Sequence, residues 1–525
     1  MAFNKLNIFQ LNQFLLSVLV KITISLHFNQ PFCGENCTKS MHFSIVGSGV
    51  AGIATAIRLA RLGHQVDVFE QHSTHGGKLG VLEMGEFRFD TGPSLFTMPQ
   101  FVRELLEEDL NQKFQVETLP VLCNYFFSDH SRFQVSSNQD TFVKEAAQFF
   151  GENPKAISGF LEKSKIVYDI TAPVFLENSL HKLSTYTKPT GLKGIANLWR
   201  LEMFKTMNQS LEKRFNNPKL VQFFSRYATY NGSDPYQAPA TLNVIPHLEF
   251  EYGAHLPKQG MRQIADIMVE QALRLGVSFH YNQKVKSINY HNKMITSLSL
   301  ENNQEFSTDG VIANVDAKIV YNKLLNIEVP KKIAQAENSS SALIFYWGIN
   351  RTFPELDVHN IFFAENYKEE FKAIFKTLSL HHDPTIYINI TSKVVKQDAP
   401  SEGENWFVMI NVPYNNGQDW DQITHKAKSF ILNKLSKHLK VDIQNHIVCE
   451  SVLDPVTIES KTGSNKGSLY GSSSNDRMSA FFRQSNFSNQ FDNLYFCGGS
   501  VHPGGGIPLC LLSAKIVSKV IFEKN

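Results

Sequence analysis

The fold is decided by the stretch His42-Phe43-Ser44-Ile45-Val46-Gly47-Ser48-Gly49-Val50-Ala51-Gly52. Its apolar half predicts a β-strand, and its glycines predict a tight turn into a helix over residues 53–62. Such a turn places a pyrophosphate at a helix N-terminus. We therefore expect Gly47, Gly49 and Gly52 to bind a dinucleotide. The alternative is a glycine-tolerant packing contact between a strand and a helix.

A second strand is predicted just downstream, at Gln65-Val66-Asp67-Val68-Phe69, and it ends at Glu70. A carboxylate at this position accepts hydrogen bonds from the ribose hydroxyls of an adenine nucleotide. The same negative charge repels a 2′-phosphate, so the sequence disfavours NADP.

A second glycine-rich stretch lies near the C-terminus, at Cys497-Gly498-Gly499-Ser500-Val501-His502-Pro503-Gly504-Gly505-Gly506-Ile507-Pro508. The pattern predicts a strand, a backbone loop without bulky side chains, and a helix over residues 509–516. Two phosphate-sized backbone sites so far apart indicate one long dinucleotide that is bound at both ends. This arrangement is typical of a flavin enzyme.

Two further motifs follow Glu70, at His75-Gly76-Gly77-Lys78-Leu79-Gly80 and Phe87-Arg88-Phe89-Asp90-Thr91-Gly92-Pro93-Ser94. Glycines permit close backbone approach to a ligand, and Lys78 offers a cation to a phosphate. A hairpin turn with a solvated lysine is the alternative. The first motif resembles the Gly-Gly-Arg/Lys turn of the amine-oxidase-like flavoproteins, and the second resembles their segment that passes under the flavin. This resemblance implies FAD as the cofactor, with contacts from Gly77, Lys78, Gly92 and Pro93.

From about residue 41 to the C-terminus, the chain resembles the carotenoid desaturases of the bacterial and fungal phytoene desaturase family. The most diagnostic segments are Phe89-Asp90-Thr91-Gly92-Pro93-Ser94-Leu95-Phe96-Thr97-Met98-Pro99 and residues 494–508. The resemblance implies that the C-terminal loop and the helix after it close over the flavin, and that the backbone near Val285 contacts the adenine. The loop residues expected at the cofactor are Gly498, Gly499, Ser500, Pro503, Gly504, Gly505, Gly506 and Ile507.

The resemblance also implies the reaction, in which a hydride passes from an acyclic carotenoid to the flavin, a proton is lost and a C=C bond forms. The cofactor carries the difficult step, so little side-chain machinery is needed. His502 is the one candidate catalytic residue, since it lies inside the flavin loop and could accept a proton. Its alternative role is to hold that loop by hydrogen bonds. The electrons are expected to pass to an acceptor such as a quinone or oxygen.

The segment Arg226-Tyr227-Ala228-Thr229-Tyr230-Asn231-Gly232-Ser233-Asp234-Pro235-Tyr236, followed by residues 245–249, resembles the 1-hydroxycarotenoid 3,4-desaturase and methoxyneurosporene desaturase branch. Arg226, Tyr227 and Tyr230 could form hydrogen bonds with a terminal hydroxyl or methoxyl group in an apolar tunnel. On that hypothesis, Arg226→Ala selectively impairs hydroxylated substrates. The alternative is a structural cluster at a domain junction.

Four other functions stay open. A phytoene desaturase and a redox-neutral carotenoid isomerase would have the same fold. A lipid-binding protein like the GDP-dissociation inhibitors shares this architecture but lacks a complete phosphate-binding signature, which is present here. An amine oxidase usually tethers FAD or has an aromatic cage, and we locate neither in the sequence.

Bulk composition agrees with a large enzyme. The chain has 525 residues and a net charge of +2, so no nucleic-acid partner is expected. Its 41 phenylalanines suit either a long hydrocarbon ligand or simply a Phe-rich core. The six cysteines show neither a disulfide framework nor metal-ligand spacing, so we expect no metal and a reducing, cytoplasmic location.

Two segments bear on membranes. Residues 1–40 hold an apolar run that Lys21 interrupts, which makes it too short to span a bilayer, and Met41 stands directly before the first strand. We interpret residues 1–40 as a misassigned start and expect them to be dispensable; a membrane-associating leader is the alternative. Within residues 153–215, a basic amphipathic pattern suits either a membrane interface or an ordinary surface helix; its apolar positions are Leu192, Ile195, Trp199 and Met203. The family resemblance favours peripheral membrane association.

The predicted fold class is α/β, with a discontinuous Rossmann-like FAD-binding domain and an inserted mixed α+β substrate domain. The FAD domain is expected at residues 41–120, 270–320 and 480–525. The substrate domain is expected at 121–269 and 321–479, with membrane-facing helices at about 153–215. Shorter helices are predicted at 104–108 and 142–150.

Overall fold

The structure, a computed structural model, describes residues 40–524 except 183, 188, 190, 192–196, 198–200, 203 and 477–482. Its strands are β1 His42–Val46, β2 Gln65–Phe69, β3 Val81–Met84, β4 Phe87–Asp90, β5 Val116–Thr118, β6 Val121–Phe126, β7 Arg132–Ser136, β8 His255–Pro257, β9 Ser278–His280, β10 Val285–His291, β11 Met294–Leu300, β12 Glu305–Ser307, β13 Gly310–Ala313, β14 Ser341–Ile349, β15 His359–Phe362, β16 Ile386–Ile390, β17 Glu404–Val412, β18 Ile447–Leu453 and β19 Leu494–Phe496. The longer α-helices are α1 Val50–Arg61, α2 Gln139–Phe150, α3 Pro154–Thr171, α4 Pro218–Ser225, α5 Ile245–Tyr252, α6 Gln263–Arg274, α7 Trp420–Leu439, α8 Pro455–Thr462 and α9 Ile507–Phe522. Shorter α-helices lie at Gln100–Arg103, Glu108–Lys113, Ser184–Thr187, Met207–Glu212, Ala317–Ile319, Lys331–Ala334 and Tyr367–Lys372.

A five-stranded sheet with the order β19-β13-β1-β2-β9 is parallel throughout. Its strands come from all three segments predicted for the FAD domain, and α1 packs against α6 and α9 beside it. The carboxyl ends of parallel strands meet at one edge of a sheet, where ligands bind. This architecture confirms the predicted α/β class, while the domain boundaries stay a prediction.

A seven-stranded mixed sheet with the order β18-β14-β17-β16-β15-β6-β7 faces that edge. Side chains alternate along its strands. Phe345 and Trp347 of β14 pack into a core that α7 covers with apolar residues. Ile344 and Tyr346, between them in the chain, pack on the opposite face. The sheet therefore presents a second face that is free to line a site.

The helix predicted over residues 104–108 is wrong. Helices lie on either side of it, at Gln100–Arg103 and Glu108–Lys113, with a turn between them. The reason is tertiary, because the Arg61 guanidinium donates to the carbonyls of Glu104 and Leu105. Those carbonyls would otherwise accept the hydrogen bonds of a continuous helix.

Among its described residues, the predicted helical region 153–215 contains α3, a π-helical turn at Ala172–Leu176 and two short helices. The four apolar positions of the predicted amphipathic segment, Leu192, Ile195, Trp199 and Met203, lie outside the described residues, as do residues 1–39. Within the described part of the chain, every helix is too short or too polar to cross a bilayer.

Candidate active site

A cavity of about 1340 Å³ lies between the carboxyl edge of the parallel sheet and the second face of the mixed sheet. It is larger than the roughly 300–1,000 Å³ of an ordinary small-molecule site, so it has room for a cofactor and a substrate together. Gly52, Gly504 and Tyr227 lie behind its wall. The predicted residues that line it are Gly47, Gly49, Glu70, Gly77, Lys78, Gly92, Pro93, Arg226, Tyr230, Val285, Gly498, Gly499, Ser500, His502, Pro503, Gly505, Gly506 and Ile507.

The first glycine turn leaves a backbone surface at the end of β1. Gly47 has a φ of +97°, and a Cβ on Gly52 would lie 2.3 Å from the Gly47 carbonyl oxygen. Gly52 therefore keeps the turn and the helix in contact, which explains its place behind the wall. Gly49 is the N-cap of α1 and makes no side-chain cap, so the helix end is available to an anion.

Asn314 belongs to this turn, although its place in the sequence predicts no such role. It follows β13, and its Oδ1 accepts a hydrogen bond from the Gly52 amide. The same side chain lies 3.3 Å from the position of a Cβ on Gly49. Asn314 lies beside this turn because β13 pairs with β1 in the folded sheet. The spacing of the glycine motif therefore could not predict the role of Asn314.

Glu70 is fixed at the end of β2 with 7% of its surface exposed. Its Oε2 accepts hydrogen bonds from the Ser48 amide at 2.9 Å and the Ser48 hydroxyl at 2.8 Å, and its Oε1 accepts one from the His72 amide at 3.0 Å. A carboxylate oxygen can accept more than one hydrogen bond, so capacity remains for ribose hydroxyls.

The Gly76-Gly77 turn packs backbone against backbone on the first glycine turn. The Gly76 amide donates to the Ser48 carbonyl, and a Cβ on Gly77 would lie 3.2 Å from the Gly49 Cα. Lys78 is half-buried, and its Nζ donates to the Leu469 carbonyl at 2.7 Å. Burial lowers the pKa of Lys78, although the nearby Cys510 and Asp316 oppose this. The structure thus places its ammonium against protein rather than in solvent.

The C-terminal loop provides a second helix end. Gly506, with a φ of +101°, is the N-cap of α9, and it too makes no side-chain cap. Gly504 lies behind the wall, where a Cβ added to it would lie 3.5 Å from the Leu509 side chain. Two helix N-termini therefore line one cavity, and each stabilises negative charge, although in α1 the Gly52 amide is already bound by Asn314. Together with the glycine surfaces and Glu70, they fit FAD; the individual contacts stay predictions.

His502 is buried, with 2% of its surface exposed. Its Nε2 lies 3.0 Å from the Asn178 carbonyl oxygen, so this nitrogen carries the proton and Nδ1 keeps a lone pair. Burial lowers the pKa of His502 to about 3, with repulsion from His181 and Arg483 in the same direction. The ring holds the loop, as the alternative role required, and its part as a proton acceptor stays a prediction.

Arg226 and Tyr230 line the cavity on the side of the mixed sheet, and both bind Glu249. The Arg226 guanidinium donates to the Tyr230 hydroxyl at 2.8 Å and lies 3.3 Å from Glu249 Oε1. Tyr230 donates to Glu249 Oε2 at 2.7 Å. Glu249 was not predicted as a partner, although a buried arginine requires a counter-ion.

Tyr227 does not reach the cavity, because its ring stacks on the Arg226 guanidinium at 4.3 Å and is fully buried. Tyr125 stacks on the same guanidinium at 5.0 Å. Burial alone would lower the pKa of Arg226, but Tyr125, Tyr230, Tyr227 and Glu249 raise it well above its ordinary value. The guanidinium therefore stays charged inside the protein.

A neighbouring polar group was also missed, formed by Ser94, His359 and Tyr387. All three line the cavity. The Tyr387 hydroxyl lies 2.9 Å from Ser94 Oγ and 2.7 Å from His359 Nδ1. The only sequence signal was alternation along β15 and β16, which places His359 and Tyr387 on the cavity face.

The comparisons with known proteins agree with this geometry. The family model for flavin-containing amine oxidoreductases matches residues 50–522. The 1-hydroxycarotenoid 3,4-desaturase of Flavobacterium sp. (strain P99-3) is 47% identical over 92% of this chain and 99% of its own. The 4,4′-diaponeurosporene oxygenase of Staphylococcus haemolyticus (strain JCSC1435) is 30% identical over 91% of this chain and 96% of its own.

Among solved structures, putrescine oxidase bound to putrescine superposes with a TM-score of 0.62 at 13% identity, covering 92% of this chain and 99% of that one. This likeness concerns the fold alone. Family and fold agree with the predicted cofactor. The chain belongs to the flavin-containing amine oxidoreductase family, as an FAD-dependent oxidoreductase in its carotenoid desaturase branch.

Proposed function

We propose that the protein desaturates an acyclic 1-hydroxycarotenoid at its C3–C4 bond. The similarity to the Flavobacterium 3,4-desaturase supports this substrate class. The structural observation that carries the proposal is a largely apolar cavity that holds, besides its proposed cofactor end, a polar region around Arg226 and Tyr387. A hydrocarbon with a single oxygenated end has the matching chemistry.

The apolar part of the cavity suits a polyene. Burying apolar surface contributes about 25 cal/mol per Å², so a long hydrocarbon gains affinity along its whole length without polar contacts. The apolar side chains of the wall include Phe101, Leu122, Phe175, Leu176, Leu242, Ile245, Leu248 and Ile361. The abundance of phenylalanine serves the core too, since many phenylalanine rings pack on one another away from the cavity.

Bound FAD would supply the two-electron acceptor for the dehydrogenation. The chain's own residues would bind its phosphates at the ends of α1 and α9, and Glu70 would bind its ribose. The apolar wall excludes water from the oxidised substrate. His502 stays the acceptor of the substrate's proton predicted from the sequence; its Nδ1 is buried and has no partner among the described residues.

We further propose that the protein works on the cytoplasmic surface of a membrane and passes its electrons to a quinone or oxygen. A carotenoid is dissolved in the bilayer and must enter the cavity from there. Exposed apolar side chains near the predicted membrane-facing region support this location, namely Phe149, Ile166 and Phe204.

The test is expression in cells that accumulate either phytoene or a 1-hydroxycarotenoid, with the pigments separated by chromatography. We expect the hydroxylated carotenoid to lose two hydrogens beside its hydroxylated end and phytoene to persist. Stepwise conversion of phytoene to lycopene, with hydroxylated pigments untouched, would instead assign a phytoene desaturase. A change in double-bond geometry without loss of hydrogen would assign an isomerase, and colourless purified protein a lipid carrier.

A further inference from the structure

We infer that Ser94 binds the substrate's terminal oxygen as a hydrogen-bond acceptor only, so the site selects a free hydroxyl over its methyl ether. Tyr387 and His359 are the positioning residues behind it. This inference rests on the proposed function and deepens it. On this inference the group that recognises the oxygen is Ser94, and not Arg226 and the tyrosines beside it.

The direction of the hydrogen bonds follows from Asn389. Its side-chain Nδ2 donates to the Val358 carbonyl at 3.0 Å, which fixes the orientation of the amide. The same Nδ2 lies 3.3 Å from His359 Nδ1, so Nδ1 must be an acceptor. His359 is 3% exposed, and burial lowers its pKa to about 3, with repulsion from Arg226 in the same direction. The ring is therefore neutral, with its proton on Nε2, which has no partner among the described residues. The single Nδ1 lone pair is then shared between Asn389 and Tyr387.

This tautomer orders the two hydroxyls in front of it. Tyr387 must donate to His359 Nδ1, because two lone pairs at 2.7 Å would repel. The Tyr387 proton is then in the hydrogen bond to His359, so Ser94 must donate to the Tyr387 oxygen at 2.9 Å. Since the only hydroxyl proton of Ser94 is donated to Tyr387, its Oγ presents lone pairs to the cavity. A hydroxyl group can donate to it, whereas an ether oxygen cannot.

The position of Ser94 suits the regiochemistry. It follows Gly92 and Pro93, the segment predicted to lie at the flavin, and it lines the cavity. In a 1-hydroxycarotenoid, a single methylene separates the oxygenated carbon from the C3–C4 bond. The group that binds the oxygen must therefore lie beside the flavin, which is where the chain places Ser94.

Arg226 and Tyr230 are hydrogen-bonded to each other and to Glu249. The two terminal nitrogens of Arg226 point at Tyr230 and Glu249, and the Tyr230 proton is donated to Glu249. The remaining Arg226 Nε is buried and has no partner among the described residues. These side chains form a buried ion-pair cluster, and on this inference it supports the wall while Ser94 contacts the oxygen.

The experiment compares the FAD-loaded enzyme with a 1-hydroxycarotenoid and with its 1-methyl ether. Steady-state kinetics give kcat/KM for each, and quenching of protein fluorescence in detergent gives Kd without turnover. We expect the wild type to favour the hydroxyl form at least tenfold in both measurements. Ser94→Ala should weaken binding of the hydroxyl form roughly fivefold to tenfold and leave the ether unchanged.

Tyr387→Phe is the sharper variant. It releases the Ser94 proton, which can then be donated to an ether oxygen, so the preference should fall to near unity through improved binding of the ether. Thr229→Val is the matched control, because Thr229 also lines the cavity but its hydroxyl donates to the Arg226 carbonyl at 2.7 Å. The control should keep the wild-type preference.

The outcomes separate the two proposals. Absence of turnover on every 1-hydroxycarotenoid would reject the proposed function. Turnover without a preference for the hydroxyl form, or a preference that survives both Ser94→Ala and Tyr387→Phe in flavin-loaded protein, would reject the role of Ser94 alone.

Discussion

Two buried charges border the cavity, and they are held in different ways. Glu70 is bound by backbone amides and a hydroxyl from the turns directly around it. Arg226 is bound by side chains, Glu249 and three stacked tyrosines, which come from separate elements. A charge held by the backbone depends on local chain geometry, whereas a charge held by side chains depends on every partner being present.

The largest expected effect concerns the glycine turn beside Glu70, the charge that is held by the backbone. Gly49→Val places branched carbons where the pyrophosphate would approach, with the Asn314 side chain already 3.3 Å from the first of them. We expect purified protein to contain no FAD, measured as flavin absorbance per chain. Gly159→Val, at an exposed helix position with open space around it, is the control and should keep full flavin. Full flavin in Gly49→Val would refute the nucleotide site.

Arg226→Ala should cost about 3–5 kcal/mol of unfolding free energy, because it leaves Glu249 charged and buried without a partner. Denaturant unfolding would measure this, with the exposed Arg351→Ala as the control. This expected loss of stability differs from the sequence-based prediction that Arg226→Ala selectively impairs hydroxylated substrates. A stable Arg226→Ala protein with a selective substrate defect would restore that expectation.

A third buried ionisable group, Glu370, extends the comparison, because its hydrogen bonds among the described residues come from Thr385. Burial raises the pKa of Glu370 from 4.5 to about 7. Between these values the folded state holds a proton that the unfolded state has lost, so stability falls as pH rises through this window. The loss is about 3 kcal/mol.

Glu370→Gln should remove this contribution, so the variant should gain stability over the wild type as pH rises from 4.5 to 7. Chemical denaturation at several pH values would measure the difference. Glu369→Gln, its exposed neighbour on the same helix, should follow the wild type. Parallel curves for Glu370→Gln and the wild type would show that Glu370 is ionised throughout.

The smallest effect belongs to Glu70→Ala, which should weaken FAD binding by about 2 kcal/mol through loss of charged hydrogen bonds to the ribose. Reconstitution of flavin-free protein would give the Kd for FAD, and the exposed Glu83→Ala is the control. Unchanged affinity would mean that Glu70 only braces the turn through Ser48.

The same contrast explains what the sequence could predict. Glu70 and the glycines form a local motif, so their spacing alone predicted a nucleotide site, and the parallel sheet follows from it. Asn314, His359 and Tyr387 reach the cavity only when strands far apart in the sequence pair, and no local sequence pattern predicts that pairing. Glu249 was part of a recognised segment, yet its role required knowing that Arg226 is buried.

The placement of β19 has a consequence for how the protein is made. This strand and the loop after it are translated more than 400 residues after β1, yet they complete the sheet and the cavity that β1 begins. The proposed cofactor contacts from 498 to 507 therefore do not exist on a nascent chain. A chain that terminates before β19 would lack these contacts and the edge strand of the parallel sheet.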